Sequence, residues 1–342
     1  MNHQNASYLL SAHGDPWAIE PSRMRAYLNT LIVSDMSQEE IESRTGPLMI
    51  DFYDCEASPL VDLSSKADKG DYRTCLSNVL ESSLTARKTK RAIAVLPLIG
   101  PVTQRSSLFT AFFGGTSTEK WGQVFESLVA TPAIGAIVID ADTPGGTVSG
   151  VPELADMIFK ARGSKPIVAV SNATMASAGY WIGSQADQLV VTPSGEVGSI
   201  GVWSMHTDMS GMLEKGGVDV TLISAGKHKT EMNPYGPLDE EAKAYEQGVV
   251  DRYHGMFVDA VARGRGVSAA AVRKDFGQGR TVGPKAAKAE GMADRIATLG
   301  DTIRRLGGQV ADQETARAEH EERRGRADTA ARRAALRGLD TN

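Results

Sequence analysis

Residues 171–181, SNATMASAGYW, set Ser177 between Ala176 and the pair Ala178–Gly179, where an apolar run, PIVAV, should turn into a helix. A serine at such a corner has two readings. Its hydroxyl can cap the helix by accepting a first-turn N–H. It can instead be a nucleophile, with small neighbours leaving room for a carbonyl. Upstream, IDADTPGGTVSG carries Gly145 and Gly146, whose backbone can take φ values closed to other residues and can aim N–H groups at a negative oxygen. With the N–H of Ala178, one of these glycines would make an oxyanion hole. Removing one such donor typically costs about 3–4 kcal/mol of transition-state stabilisation. Downstream, ISAGKHKTE offers two amines, Lys227 and Lys229. An amine serves as base only when neutral, which near pH 7–8 requires its pKa to fall by roughly 2–3 units, or about 3–4 kcal/mol, through burial. Each segment alone has an ordinary explanation: a helix cap, a glycine-rich turn, two surface lysines. A phosphate loop is not among them, because no G-x-x-x-x-G-K-[ST] pattern occurs.

These residues need a scaffold, and the chain between about residues 91 and 300 alternates short apolar runs with helical patterns. AIAVLPLIG, AIGAIVID, PIVAV, QLVVTP, GSIGVWS and VDVTLIS are predicted as strands. EKWGQVFESLVA, PELADMIFKAR, GYWIGSQAD, MSGMLEKG and EEAKAYEQGVVDRYHGMFVDAVARGR are predicted as helices. Buried strands alternating with helices give an α/β domain with a parallel sheet and right-handed crossovers. VDVTLIS, running into Ala225 and Gly226, is the strand expected to carry a lysine into a closed site. Three parts result: an N-terminal extension over 1–88 with a helix around PSRMRAYLNTLI, an α/β domain over 89–305, and a tail over 306–342 rich in Ala, Arg and Glu. With few apolar residues for docking, the tail is expected to be helical, solvated and mobile or partner-dependent.

Composition narrows the classes. The 342 residues are 41% hydrophobic and 23% charged, as in a globular protein, and a net charge of −5 gives no general affinity for nucleic acid. Cys55 and Cys75 are too few for a disulfide framework and lie in no zinc pattern, so they are expected as reduced thiols. The first thirty residues lack a signal-peptide core, and no run reaches the roughly 18 apolar residues needed to cross a bilayer. The expectation is a cytoplasmic protein without a membrane partner.

Taken in order, AVLPLIGPV, DTPGGTVSG, ASAGYWIGSQAD, GEVGSIGVW, ISAGKHKTEMNPYGPLDEEA, VARGRGVS and GRTVGPKAAKAEGMADRI resemble the S49 peptidases, the signal peptide peptidase A family of the ClpP/crotonase superfamily. The resemblance covers about residues 91–300 and implies a ClpP/crotonase-like fold and a Ser/Lys dyad. Ser177 matches the family nucleophile, and the family's G-x-x-K pattern falls on Gly226 and Lys229 rather than Lys227. The oxyanion glycine falls in the PGG loop, with Gly146 ahead of Gly145. Ser199, in GSIGV, either holds the lysine and lines the cleft or is a turn serine. His228 stands where the family often has an aromatic residue and receives no role. The resemblance implies no metal or organic cofactor, a polypeptide substrate and a homo-oligomer. The opening SYLLSAHGDPWAIEPSRMRAYLNTLI resembles the extension of phage S49 head proteins, which implies a prohead protease acting on scaffold or capsid protein in the host cytoplasm or prohead.

Three alternatives compete. His206, in GVWSMHTDMS, would serve a ClpP-type Ser/His/Asp site. A crotonase-type acyl-CoA enzyme would use the paired N–H groups without Ser177. A structural head protein would keep the dyad residues in a vestigial site. Among S49 enzymes, a host-type cytoplasmic peptide-degrading protease is the alternative to a phage head protease.

Overall fold

The computed structural model describes residues 17–19, 50–56, 91–105 and 115–339. In chain order its elements are β1 (Trp17–Ile19), β2 (Asp51–Tyr53), β3 (Ala92–Ile99), β4 (Val102–Thr103), β5 (Thr116–Ser117), α1 (Thr118–Ala130), β6 (Ile134–Thr143) and β7 (Gly145–Thr147). They continue as α2 (Val151–Ala161), β8 (Ile167–Ala176), α3 (Ala178–Gly183), β9 (Gln188–Val191), β10 (Glu196–Gly198), α4 (Ser210–Lys215) and α5 (Glu240–Arg265). The last are α6 (Ala269–Asp275), β11 (Thr281–Val282), α7 (Pro284–Ala289), β12 (Arg295–Ile296) and α8 (Leu299–Leu339). The helix expected around PSRMRAYLNTLI, and Cys75, lie outside the described residues.

The main sheet runs β11-β10-β8-β6-β3-β2, with β9 pairing β8 and β12 pairing β9. β3, β6 and β8 are parallel neighbours, as the α/β reading requires. Their near-continuous apolar sequences follow from burial on both faces. Alternation along each strand sends Leu96, Ile137, Ile139 and Ala169 into a large core containing Trp121, Phe125, Trp181 and Phe257 from the helices. Val95, Val138, Val168 and Val170 point to the other face, where Ile303, Leu306 and Val310 of α8 cover them. A smaller sheet, β1-β7-β4-β5, stands at the site end.

Four sequence expectations differ from this picture. The tail is not separate from residue 306: α8 begins at Leu299, and its first three turns are core, since Leu306 and Val310 are fully buried. Three apolar residues at helical spacing suffice to dock the helix start, and only beyond them does the charged composition take over. The N-terminal part also contributes to the body, for β2 pairs antiparallel with β3 and Phe52 enters the core. VDVTLIS forms no strand: residues 218–224 are unpaired and exposed, with Ile223 at 94% exposure. Its alternating pattern suits a half-buried strand, but among the described residues no strand pairs with it. GSIGVWS likewise gives strand only at Gly198.

Candidate active site

β8 is the element that delivers Ser177. Its first half pairs with β9 and its second half with β10, so Ala176 lies opposite Gly198 as the chain turns. The Ser177 N–H donates to the Gly198 carbonyl at 2.7 Å. Ser177 itself adopts φ 53 and ψ −118, a conformation that costs a non-glycine residue about 1–3 kcal/mol and persists only where surroundings enforce it. The surroundings are α3. Its Trp181 N–H donates back to the Ser177 carbonyl at 2.9 Å, and Trp181 stacks on Phe257 of α5 at 4.5 Å between ring centroids. Tyr180 donates its hydroxyl to the Met292 carbonyl at 3.0 Å, and burial pushes its phenol up, so it remains a neutral donor. Arg162 closes the far end of α3 by donating to the carbonyls of Gln185, Ala186 and Gly264.

The hydroxyl does not cap the helix. Ser177 makes no side-chain cap bond, the residue is 1% exposed, and among the described residues its buried Oγ has no hydrogen-bond partner. Buried hydroxyls are almost always satisfied, so an unsatisfied one asks for an explanation beyond local structure.

Around it lie the predicted backbone donors. Ala178 is the first residue of α3, so its N–H has no acceptor inside the helix. Gly179 must be glycine, because a Cβ there would sit 2.3 Å from the Thr143 methyl. Thr143, unnoticed in the sequence, organises the loop: its hydroxyl donates to the Gly100 carbonyl at 2.6 Å and accepts the Gly145 N–H at 3.1 Å. That bond engages the Gly145 N–H and so separates it from Gly146. Gly145 is at φ 96, and a Cβ on Gly146 would fall 1.7 Å from the Val102 carbonyl oxygen. Ser199 follows Gly198 at φ 55, is buried, and donates its N–H to the Arg280 carbonyl at 2.8 Å, one residue from the acceptor of Ser177.

The lysines are elsewhere. None of residues 201–241 is buried, and Lys229 lies on this arm, exposed, with no bond to Ser177. Lys227 is engaged by Glu241, donating to both carboxylate oxygens at 2.6 and 2.8 Å, and this hydrogen bond holds its pKa above the usual lysine value. His228 pairs with Glu231. His206, the ClpP-type candidate, has Nε2 against the Asn233 carbonyl at 2.9 Å and does not reach Ser177. Thus the structure gathers Ser177, Ala178, Gly145, Gly146 and Ser199, and leaves Lys229 on the arm. No group of three or more His, Cys, Asp or Glu suited to a metal occurs among the described residues.

Residues 160–311, which include Ser177 and Lys229, match the model of peptidase family S49. Through these residues the chain is similar to the S49 peptidases. The chain is 34% identical over 211 residues to capsid assembly protease C of Escherichia phage lambda, covering 62% of this chain and 48% of that protein. It is 32% identical over 173 residues to a putative signal peptide peptidase SppA of Enterococcus faecium, covering 50% of each. The chain therefore spans about half the length of these curated relatives. Among solved structures, a ClpP1 mutant from Listeria monocytogenes is similar at 16% identity over 67% of this chain and 98% of that chain, with a TM-score of 0.38. No helix among the described residues is long and apolar enough to cross a membrane.

Proposed function

We propose that the chain is a serine endopeptidase in which Ser177 is the nucleophile, Lys229 the general base, and the N–H groups of Gly146 and Ala178 the oxyanion donors. The single observation that carries this reading is the Ser177 hydroxyl, buried, uncapped and without a partner among the described residues, at a left-handed corner between strand and helix. Lys229 takes the proton as Ser177 Oγ attacks a peptide carbonyl, and the oxyanion forms against the two amides. The protonated amine then passes its proton to the leaving nitrogen, and water releases the acyl-enzyme. Lys227 is the poorer base, because its contact with Glu241 favours the charged form.

A neutral Lys229 requires burial that the single chain does not give it. The apolar arm supplies a route: when Val218, Val220, Leu222 and Ile223 pack against another copy, Lys229 leaves water with them and meets a Ser177. The working form is accordingly a homo-oligomer. The peptidase unit runs from β2 through the first turns of α8 rather than from 89 to 305. Similarity to a phage capsid assembly protease supports a head or scaffold polypeptide as the substrate.

The test is cleavage of the scaffold protein encoded with this chain, followed by mass spectrometry. Ser177→Ala and Lys229→Ala should each abolish fragments, whereas Lys227→Ala should retain most activity. Loss in Lys227→Ala with activity intact in Lys229→Ala would reverse the assignment of the base. An inert wild-type chain that assembles normally would favour a structural head protein.

A further inference from the structure

β1 lies on the edge of the glycine loop. Trp17, Ala18 and Ile19 pair antiparallel with Thr147, Gly146 and Gly145 respectively. The opposite edge of β7 is taken by β4, parallel, with Val102 opposite Gly146. β1 therefore fills the one edge of β7 to which a further strand can add. It also has a direction. Ile19 faces Gly145, two residues past Thr143, which pairs with Met175 and touches Gly179 beside Ser177. Trp17 faces Thr147 at the other end, so β1 advances toward the nucleophile as its numbering rises. In sequence it is bracketed by Pro16 and Pro21, residues without an N–H to extend a ladder.

An extended peptide bound beside a nucleophile is held through its backbone by such an edge. One edge cannot hold two strands. We propose that Trp17–Ile19 occupies in cis the place of the substrate backbone, so that the N-terminal segment is a built-in competitive inhibitor of the site. This rests on the reading of Ser177 as the nucleophile. Because the segment is tethered, its effective concentration is high, and an incoming peptide must displace it before reaching Ser177. A three-residue strand offers few main-chain bonds, so displacement by a longer substrate strand is favourable once that substrate is locally abundant, as within an assembling particle.

The experiment compares the full-length chain with Ala18→Pro and Ile19→Pro. Successive N–H groups of a strand point to opposite sides, so one of the two prolines must remove a donor to β7. Two quantities are read: amide exchange over residues 144–149, and the rate at which a fluorophosphonate labels Ser177. At least one variant should lose protection there and label about tenfold faster, as expected when a state hidden nine-tenths of the time becomes open. A synthetic peptide spanning residues 14–22, added to that variant, should slow labelling again, and a scrambled peptide should not. Unchanged protection in both variants overturns the proposal, as does lost protection with labelling at the wild-type rate. No labelling of Ser177 in any form sinks the nucleophile reading itself, and the inhibitor with it. Retention of the wild-type thermal transition separates these outcomes from a folding defect.

Discussion

At the residue scale, the site depends on two close approaches that only glycine allows. Gly179 lets α3 press on Thr143, and Gly146 lets β7 press on the Val102 backbone. The obstacle at Gly179 is a side-chain methyl, whereas at Gly146 it is main chain. Gly146→Ala is therefore expected to displace β7 from β4, lower stability by about 2–3 kcal/mol, and abolish peptidase activity, since overpacking against backbone cannot relax locally. Thermal unfolding and a peptidase assay on the same preparation check this. A variant with wild-type melting and activity would mean that the Gly146 amide is not a fixed part of the site. The sequence shows both glycines, but the difference between them comes from the Thr143 hydroxyl, which accepts the Gly145 N–H and not that of Gly146.

At the scale of elements, the corner at Ser177 is held by what surrounds α3. A six-residue helix cannot fix a strained residue by itself. Arg162 ties its end, Phe257 stacks on Trp181, and the segment after α7 receives the Tyr180 hydroxyl. A related tie joins α5 to that segment: Arg265, only 6% exposed, donates to both carboxylate oxygens of Asp294, which also accepts the Leu189 N–H at 2.7 Å. Burial pushes the Asp294 carboxyl up, but the Arg265 hydrogen bonds, the Leu189 N–H and the neighbouring guanidinium charges outweigh it and hold its pKa below the ordinary value. A carboxyl depressed in the folded state stabilises above its unfolded pKa of about 3.9, and that contribution is lost as pH falls through the lower folded value. Asp294→Asn should cost about 1–2 kcal/mol at pH 7, discounted for partial exposure, and less at about pH 3, below the unfolded carboxyl's pKa. Denaturant titrations at both pH values measure it, and an equal loss at both would show that charge is not the cause.

At the scale of the molecule, the arm is the feature a single chain does not explain. Met205, Met212, Val218, Val220, Leu222 and Ile223 are all exposed on it, a denser run of exposed apolar side chains than the scattered Ile99, Tyr245, Met256 and Ile296 elsewhere. Ile223→Asp should leave the thermal stability of the subunit unchanged, shift light-scattering mass toward the monomer, and reduce peptidase activity in proportion. An unchanged mass with full activity would show that the arm neither assembles the protein nor delivers Lys229.

The alternation of apolar runs with helical patterns was enough to specify the parallel β3-β6-β8 core, because burial of a strand on both faces leaves a local signature in its residues. The placement of Ser177 between strand and helix was legible for the same reason. The choice between cap and nucleophile was not legible from the residues alone, since it turns on φ and on which acceptors surround one oxygen. Nor were the Thr143 clasp, the pairing of β1 with β7 or the docking of α8, each of which joins segments far apart in the chain. VDVTLIS shows the limit most clearly: a strand pattern states that one face seeks cover, and only the tertiary structure decides whether its own chain has an edge to offer.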